Sequence, residues 1–131
     1  MTPIRSQIRV LLFEDDELNQ ELMQVILPGS EYQLVIAENG FLGLELFSTS
    51  PEGHFHIILM DIQMPELDGY ETTKKLREWE LESGWARTPI LALTAYTMSD
   101  EVAKILSCGC DDHLAKPVQK DELLSKISFF L

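Results

Sequence analysis

The chain has 131 residues, of which 45% are hydrophobic and 24% are charged, and its formal net charge is −12. A chain of this length fits one domain, residues 1–131, and buries a core without disulfides or structural metals. The acidic balance argues against direct contact with nucleic acid or anionic lipid. The sequence has no apolar run near the roughly 18 residues of a membrane span and no apolar signal core in its first residues, so we expect a cytoplasmic location without membrane insertion.

The hydrophobic pattern predicts five strands that alternate with five helices. The strands are predicted at residues 8–13, 32–38, 55–60, 89–95 and 111–116, and the helices at residues 16–27, 41–50, 69–83, 98–109 and 120–131. Continuous apolar strands separated by helices are typical of a parallel sheet that is covered by helices on both faces. The sequence therefore predicts an α/β domain whose core runs from about residue 8 to residue 131.

Local patterns predict how some of these helices begin and which side they bury. Asp16 is favoured as the N-cap of the first helix and Ser99 as the N-cap of the fourth, because short polar side chains accept hydrogen bonds from the free N–H groups there. In the second helix, the spacing places Leu42, Leu46 and Phe47 on one apolar face.

Polar residues lie at the carboxyl ends of four predicted strands. They are the acidic cluster Glu14, Asp15 and Asp16, then Asp61, Thr94 and Lys116. Active groups gather at this edge in parallel sheets, so the four positions are predicted to converge into one pocket if their strands are neighbours. Each residue taken singly is more often structural, as a turn former, a helix cap or an exposed lysine, but the combination favours a chemical site.

The chemistry of this set of residues is coherent. Clustered carboxylates repel one another, and a divalent cation together with the Lys116 ammonium would keep them ionised. Oxygen ligands suit Mg²⁺ or Mn²⁺. A hydroxyl such as that of Thr94, a lysine and a metal ion are the groups that bind a phosphoryl group. Asp61 is then a candidate nucleophile that would carry an aspartyl-phosphate.

The strand-end residues lie in the segments LLFEDDELN, IILMDIQMPELDGYE, PILALTA and DDHLAKP. These segments resemble the response-regulator receiver domain of two-component signalling, and the M-D-x-x-M-P-x-x-D-G core is highly specific to that family. The resemblance runs from about Ile8 to Leu131. It implies a flavodoxin-like (βα)5 fold with a parallel sheet in the order 2-1-3-4-5, and a phospho-acceptor domain rather than an enzyme.

The resemblance also implies a set of metal ligands. Asp15 would bind Mg²⁺ or Mn²⁺ directly, together with Asp61, and Glu14 would act mostly through water. Gln63 would contribute its backbone carbonyl. Because the chain has three acids in a row, the pair Asp15 and Asp16 is an alternative, but the first strand ends one residue before Glu14, which favours Glu14 and Asp15.

The phosphoryl group and the switch are assigned by the same resemblance. Asp61 would accept the phosphoryl group, Thr94 would donate a hydrogen bond to it and Lys116 would pair with its oxygens. The Lys116–Pro117 peptide bond would be cis. The family's switch aromatic, three residues before the lysine, is His113 in this chain, which adds a titratable group.

The resemblance further implies partners of two kinds. A sensor histidine kinase or a histidine phosphotransfer protein would supply the phosphoryl group, and a downstream partner would bind the face formed by the fourth helix, fifth strand and fifth helix. The long connection REWELESGWARTPI is similar to receiver modules attached to hybrid sensor kinases. Whether the chain is a stand-alone protein or such a module stays open, although the last helix reaches Leu131 and no further domain is expected after it.

Two other functional classes fit the predicted fold less well. A metal-dependent aspartyl-nucleophile phosphatase places a D-x-D pair after the first strand, whereas the candidate nucleophile here follows the third and position 63 is Gln63. A flavin carrier needs a phosphate loop where this chain has the acidic EDDE. The pair Cys108 and Cys110 lacks the further ligands of a zinc site and is spaced too tightly for an easy disulfide, so two buried thiols are expected.

Overall fold

The computed structural model describes residues 7–131 of the chain. Its elements are β1 (Ile8–Phe13), α1 (Glu17–Ile26), β2 (Tyr32–Ala37), α2 (Gly40–Thr49), β3 (Ile57–Asp61), α3 (Gly69–Ser83), β4 (Ile90–Thr94), α4 (Ser99–Cys108), β5 (Asp112–Ala115) and α5 (Lys120–Phe130). The strands form one parallel sheet in the order β2-β1-β3-β4-β5, so the predicted fold class and strand order are confirmed.

The prediction about a signal segment concerns mainly residues 1–6, which lie outside the described residues. Within residues 7–131, no helix is both long enough and apolar enough to cross a membrane.

The side chains of β1 alternate between two hydrophobic cores, because successive residues of a strand point to opposite faces. Leu11 and Phe13 pack in a core with side chains of α2, α3 and α4. Val10 and Leu12 pack in the opposite core with side chains of α1 and α5. All four residues are fully buried. The central strands are therefore rigid supports, and the candidate site lies at their carboxyl ends.

The helix α2 approaches the sheet through a glycine. A Cβ atom on Gly43 would lie 1.9 Å from Cε1 of Phe13, so this close contact requires glycine. Phe47 is buried as predicted, but Leu42 and Leu46 are 42% and 38% exposed. The apolar face predicted for this helix is wrong at these two leucines, because the contact at Gly43 turns them toward the margin of the core.

Of the two predicted N-cap residues, one is confirmed by the structure and the other is wrong. Asp16 is the N-cap of α1 and accepts the Leu18 N–H at 2.9 Å, which confirms that prediction. The prediction for Ser99 is wrong: the N-cap of α4 is Met98, which makes no side-chain cap bond. Ser99 is the first residue of the helix, and its side chain lies one position too late to cap it. Gly109 ends α4 as expected.

Candidate functional site at the carboxyl edge of the sheet

Five residues at the carboxyl edge of the sheet form one group, which we call the carboxyl-edge pocket: Glu14, Asp15, Asp61, Thr94 and Lys116. Glu14 and Asp15 follow β1, Asp61 ends β3, Thr94 ends β4 and Lys116 follows β5. These strands are neighbours in the order β1-β3-β4-β5. The topology therefore brings together residues that are far apart in sequence, as the strand-end pattern predicted.

Asp61 is a buried member of this group, with only 2% of its surface exposed. Its Oδ1 atom lies 2.9 Å from Nζ of Lys116 and accepts the backbone N–H of Gln63 at 3.1 Å. Two residues from two loops, Lys116 and Gln63, thus fix the orientation of the carboxylate. A rigid strand end with a lysine beside it would hold a candidate nucleophile in one position.

Glu14 is even more deeply buried, at 1% exposure. Its Oε1 lies 3.5 Å from Nζ of Lys116, and its Oε2 accepts the Asp15 N–H at 3.1 Å. Burial is the largest influence on this carboxyl and, together with hydrogen bonding to Asp61 and repulsion from it, raises the pKa of Glu14 to about 8, although Lys116 works in the opposite direction. Without a bound cation, Glu14 therefore favours its protonated, neutral form at neutral pH.

Lys116 is the lysine of the carboxyl-edge pocket, and a backbone hydrogen bond anchors it. Its N–H donates to the Thr94 carbonyl at 2.9 Å, and the peptide bond to Pro117 is cis, as the resemblance implied. Burial tends to lower the pKa of Lys116, but the hydrogen bonds and charges of Asp61 and Glu14 outweigh it, so the pKa lies above its ordinary value. Lys116 is thus a permanent cation at neutral pH.

Glu14, Asp15 and Asp61 form a candidate cation site. One carboxylate oxygen from each lies within 4.8 Å of the others, and no other group of three or more potential His, Cys, Asp or Glu ligands occurs among residues 7–131. Asp15 is exposed whereas the other two are buried, so the cluster opens to solvent on one side. Asp16 caps α1 instead, which matches the Glu14–Asp15 register. Oxygen donors with excess negative charge suit a hard divalent cation.

Thr94 and His113 are the two residues predicted to form a switch, and the structure shows their contacts. The buried Thr94 hydroxyl accepts the Tyr96 N–H at 3.0 Å and donates to the Tyr96 carbonyl at 3.2 Å, so it is bonded to its own loop. His113 lies in β5 opposite Ala92, and its half-buried ring has Nδ1 3.6 Å from Oδ1 of Asp112. The two side chains therefore lie on neighbouring strands.

Gln20 is a contributor that sequence reasoning did not predict. Its side-chain amide donates to the Glu14 carbonyl at 2.7 Å and so ties α1 to the acidic loop. The only sequence signal is its position four residues after the cap Asp16, whose carbonyl accepts the Gln20 N–H. That spacing alone is too common to single out a residue.

The comparisons with known proteins agree with this geometry. The family model of the response regulator receiver domain matches residues 10–128, so the chain belongs to the response-regulator receiver domain family. As a member of it, the chain is a receiver domain of two-component phosphorelay signalling.

Curated relatives include both long and short proteins. The sensor histidine kinase GacS of Pseudomonas protegens is 36% identical over 115 residues, which are 88% of this chain but only 12% of that kinase. The polar-differentiation response regulator DivK of Brucella ovis is 32% identical over 122 residues, 93% of this chain and 94% of DivK. The chain thus spans a small part of the sensor kinase GacS and nearly the whole of DivK.

Two solved structures carry further information about their own sites. The receiver domain of the sensor histidine kinase PA1611 from Pseudomonas aeruginosa has a magnesium ion coordinated in its active-site cleft; its TM-score is 0.82, with 30% identity over 95% of this chain and 98% of that one. The second is a co-crystal structure of the Saccharomyces cerevisiae histidine phosphotransfer protein Ypd1 with the receiver domain of Ssk1. Its TM-score is 0.87, with 32% identity, and the match covers 95% of this chain and 88% of that one.

Proposed function

We propose that this receiver domain accepts a phosphoryl group from a phosphohistidine on Asp61. The observation that carries the proposal is the surroundings of that carboxylate: it is buried, 2.9 Å from the Lys116 ammonium, and grouped with two further acids. An Asp61 oxygen attacks phosphorus, the phosphorus–nitrogen bond to the donor imidazole breaks, and its electron pair returns to that nitrogen. The chain promotes its own phosphorylation and dephosphorylation and is otherwise not an enzyme.

The residues of the carboxyl-edge pocket fit a bound Mg²⁺, with Mn²⁺ as a substitute. Asp15 and Asp61 would be direct ligands, Glu14 would act through water, and the backbone carbonyl of Gln63 would complete the protein's share. The magnesium ion in the PA1611 receiver supports this assignment. When bound, the ion would neutralise charge on the phosphoryl oxygens and on the clustered acids. Lys116 contributes the second positive charge from the opposite side.

The acceptor is tested by intact mass spectrometry after incubation with acetyl phosphate and Mg²⁺. The parent chain is expected to gain one phosphoryl group, and Asp61→Asn none, because an amide is not a nucleophile. The matched control is Asp16→Asn, which removes an acid from the same loop while keeping a residue that caps α1. A phosphoryl adduct on Asp61→Asn at the level of the parent would refute the proposal.

Phosphorylation is proposed to act through Thr94 and His113. Thr94 would exchange its bonds to the Tyr96 backbone for one to the phosphoryl group, and His113 would turn into the space vacated. The output face would be α4, β5 and α5. Lys116→Ala is expected to bind metal still but to switch poorly. Beryllofluoride, a phosphoryl mimic, should shift NMR signals around Thr94 and His113; shifts confined to the metal loops would contradict a coupled switch.

Two exposed residues are proposed to set the lifetime of the phosphoryl group. Tyr96 is 54% exposed and borders the pocket through its backbone contacts with Thr94. We expect it to shield the phosphoryl group, whereas Gln63 would orient an attacking water. Loss of phosphoryl from Tyr96→Ala should be faster than from the parent, while Met98→Ala, in the same exposed loop, should match the parent. Equal decay of Tyr96→Ala and the parent would refute the shielding.

The phosphodonor is proposed to contact α1. Leu18, Leu22 and Val25 are 74%, 41% and 76% exposed on this helix, although their sequence spacing resembles that of core residues. The helix begins beside the acidic loop, so a partner covering it would reach Asp61. The complex of Ypd1 with the Ssk1 receiver supports a histidine phosphotransfer protein as that partner; a sensor histidine kinase is the other candidate.

This contact is tested by comparing two phosphodonors. Val25→Glu should slow transfer from a phosphohistidine protein about tenfold, the effect of losing about 1.4 kcal/mol of binding, and leave phosphorylation by acetyl phosphate unchanged. Leu81→Glu, equally exposed but on α3, should affect neither reaction. A Val25→Glu variant that slows both reactions equally would contradict a docking role.

The single-domain organisation, residues 1–131, and the cytoplasmic location remain predictions alongside these proposals.

A further inference from the structure

The two cysteines of the chain lie against each other at the junction of α4 and β5. Cys108 is the last residue of α4, Cys110 lies two residues before β5, and their Sγ atoms are 3.9 Å apart. Both thiols are free and buried, with 7% and 3% exposure. The prediction of two buried thiols is confirmed, and the structure also shows that each sulfur has the other as a neighbour.

Gly109 is what allows this arrangement. Its φ of 120° is a backbone conformation that residues with a Cβ rarely adopt. This conformation turns the chain sharply between α4 and β5. A Cβ at this position would also lie 2.9 Å from Cγ of Arg77. The glycine therefore holds the two flanking side chains on the same side of a tight turn.

The surroundings of the two thiols make them chemically unequal. Hydrogen bonding from Cys110 is the largest influence on Cys108 and lowers the pKa of Cys108 to about 7, against the opposing effect of burial. The pKa of Cys110 is raised by the same hydrogen bond and by burial, while Thr73 Oγ1 lies 3.7 Å from its sulfur. Cys108 is also the less deeply buried of the two, with 7% exposure against 3%. Because thiolates are the nucleophilic form of cysteine, Cys108 is the more accessible and more reactive partner.

We propose that Cys108 and Cys110 form a reversible disulfide when the domain encounters hydrogen peroxide. The Cys108 thiolate attacks a peroxide oxygen, the O–O bond breaks, and hydroxide leaves as Cys108 becomes a sulfenic acid. Cys110 then attacks the sulfenic sulfur, the S–O bond breaks, and the Cys110 proton and the departing hydroxide form water. In sum, two thiols and one peroxide give one disulfide and two waters.

A metal site is a poorer use of this pair. Among residues 7–131, the only group of three or more His, Cys, Asp or Glu ligands is in the carboxyl-edge pocket. The cysteine pair thus has no third or fourth ligand of these types, whereas a structural zinc site needs four.

Forming the disulfide changes the junction between α4 and β5. The sulfurs must move from 3.9 Å to about 2.05 Å apart, which requires the turn at Gly109 to adjust. The Gly109 carbonyl is held by Nε of Arg77 and Nη2 of Arg87, each at 2.9 Å. We expect a small thiol such as glutathione to reduce the disulfide again by thiol–disulfide exchange.

The proposal is tested on the full chain by peroxide treatment, alkylation of remaining thiols with N-ethylmaleimide, and tryptic mass mapping. The fragment 105–120 contains both cysteines. We expect this fragment to become lighter by two hydrogens, to lose both maleimide additions, and to recover them after reduced glutathione. Two maleimide additions after peroxide, or oxygen addition to Cys108 without the cross-link, would overturn the proposal.

The order of the two steps is tested with dimedone, which captures sulfenic acids. Cys110→Ser should give a dimedone adduct on Cys108, because the second thiol is missing. Cys108→Ser should give none on Cys110. An adduct on Cys110 and none on Cys108 would overturn the assignment of Cys108 as the attacking thiol, while the wild-type mapping tests the disulfide without any variant.

Discussion

Charged side chains are grouped at both edges of the parallel sheet, but the balance of cations and anions differs between the two groups. At the amino edge, opposite the pocket, Arg77, Glu80, Arg87 and Asp111 form what we call the amino-edge network. Arg77 donates to Glu80 at 2.7 Å and to Asp111 at 2.9 Å, and Arg87 donates to Asp111 at 3.0 Å. Glu80 also accepts the Thr88 N–H at 2.7 Å. Two cations and two anions thus balance.

At the carboxyl edge the balance is different. Three acids, Glu14, Asp15 and Asp61, are grouped together, and one lysine, Lys116, pairs with Glu14 and Asp61. Burial and the neighbouring acid raise the pKa of Glu14 to about 8. Acids that are paired in the amino-edge network thus outnumber their cation in the pocket, and Glu14 holds its proton near neutral pH when no cation is bound. This difference is consistent with a structural role for the amino-edge network and supports the proposal that the carboxyl-edge pocket takes a cation and a phosphoryl group.

The largest effect is expected at the amino edge. Glu80→Ala leaves Arg77 without its nearest acid and the Thr88 N–H without an acceptor, so we expect a loss of about 3 kcal/mol in the free energy of unfolding. Urea denaturation measures it. The control Glu78→Ala, on the exposed side of the same helix, should change stability by less than about 0.5 kcal/mol. Similar losses for both variants would mean that the network does not stabilise the fold.

At the carboxyl edge, Glu14→Gln is expected to raise the free energy of unfolding, which is the opposite of the effect of Glu80→Ala. Because the folded-state pKa of Glu14 is raised from 4.5 to about 8, the folded chain binds more protons than the unfolded chain between those values. In EDTA, the free energy of unfolding of the parent should therefore fall as pH rises through that window. Glu14→Gln should remove the fall and be more stable by about 1–3 kcal/mol at about pH 8.

Urea denaturation at several pH values between about 5 and 8 measures this effect, since the linkage acts over that range. The control is Glu21→Gln on the exposed side of α1, which should keep the decline of the parent. A Glu14→Gln variant that declines as steeply as the parent would show that the acid is not the source of the effect.

The smallest of the three effects comes from Mg²⁺. A ligand at ten times its Kd stabilises the folded state by about 1.4 kcal/mol, so Mg²⁺ should raise the Tm of the parent. Asp15→Asn should respond weakly or not at all, because it removes an exposed carboxylate of the cluster, and Asp16→Asn should respond like the parent. An unchanged Mg²⁺ response in Asp15→Asn would place the cation elsewhere.

Much of this architecture was predictable from the sequence. The strands are continuous apolar runs, so their observed bounds lie within two residues of the predicted ones, and the polar residues at their ends met at one edge because parallel strands share their direction. The family resemblance supplied the strand order and the cis bond before Pro117. Helix α3 begins and ends as predicted because Asp68 caps it and Gly84 ends it with a φ of 68°.

The features that sequence did not predict depend on three-dimensional packing. The depth at which Glu14 is buried depends on neighbouring elements, such as Gln20 in α1. Thr94 was expected to face a phosphoryl group, and only the structure reveals its present bonds to Tyr96. The exposure of Leu42 and Leu46 follows from the contact of a glycine with one phenylalanine ring. Patterns of single residues do not encode such contacts.

The most direct test of the difference between the two edges is to locate the phosphoryl group itself. The chain is incubated with acetyl phosphate and Mg²⁺ and then treated with borohydride, which reduces an acyl phosphate to an alcohol and so converts the acceptor aspartate to homoserine. Tandem mass spectrometry then reads the modified position. We predict homoserine at Asp61 alone, dependent on Mg²⁺. Homoserine at Asp15 or at Asp111 of the amino-edge network, with none at Asp61, would contradict the account.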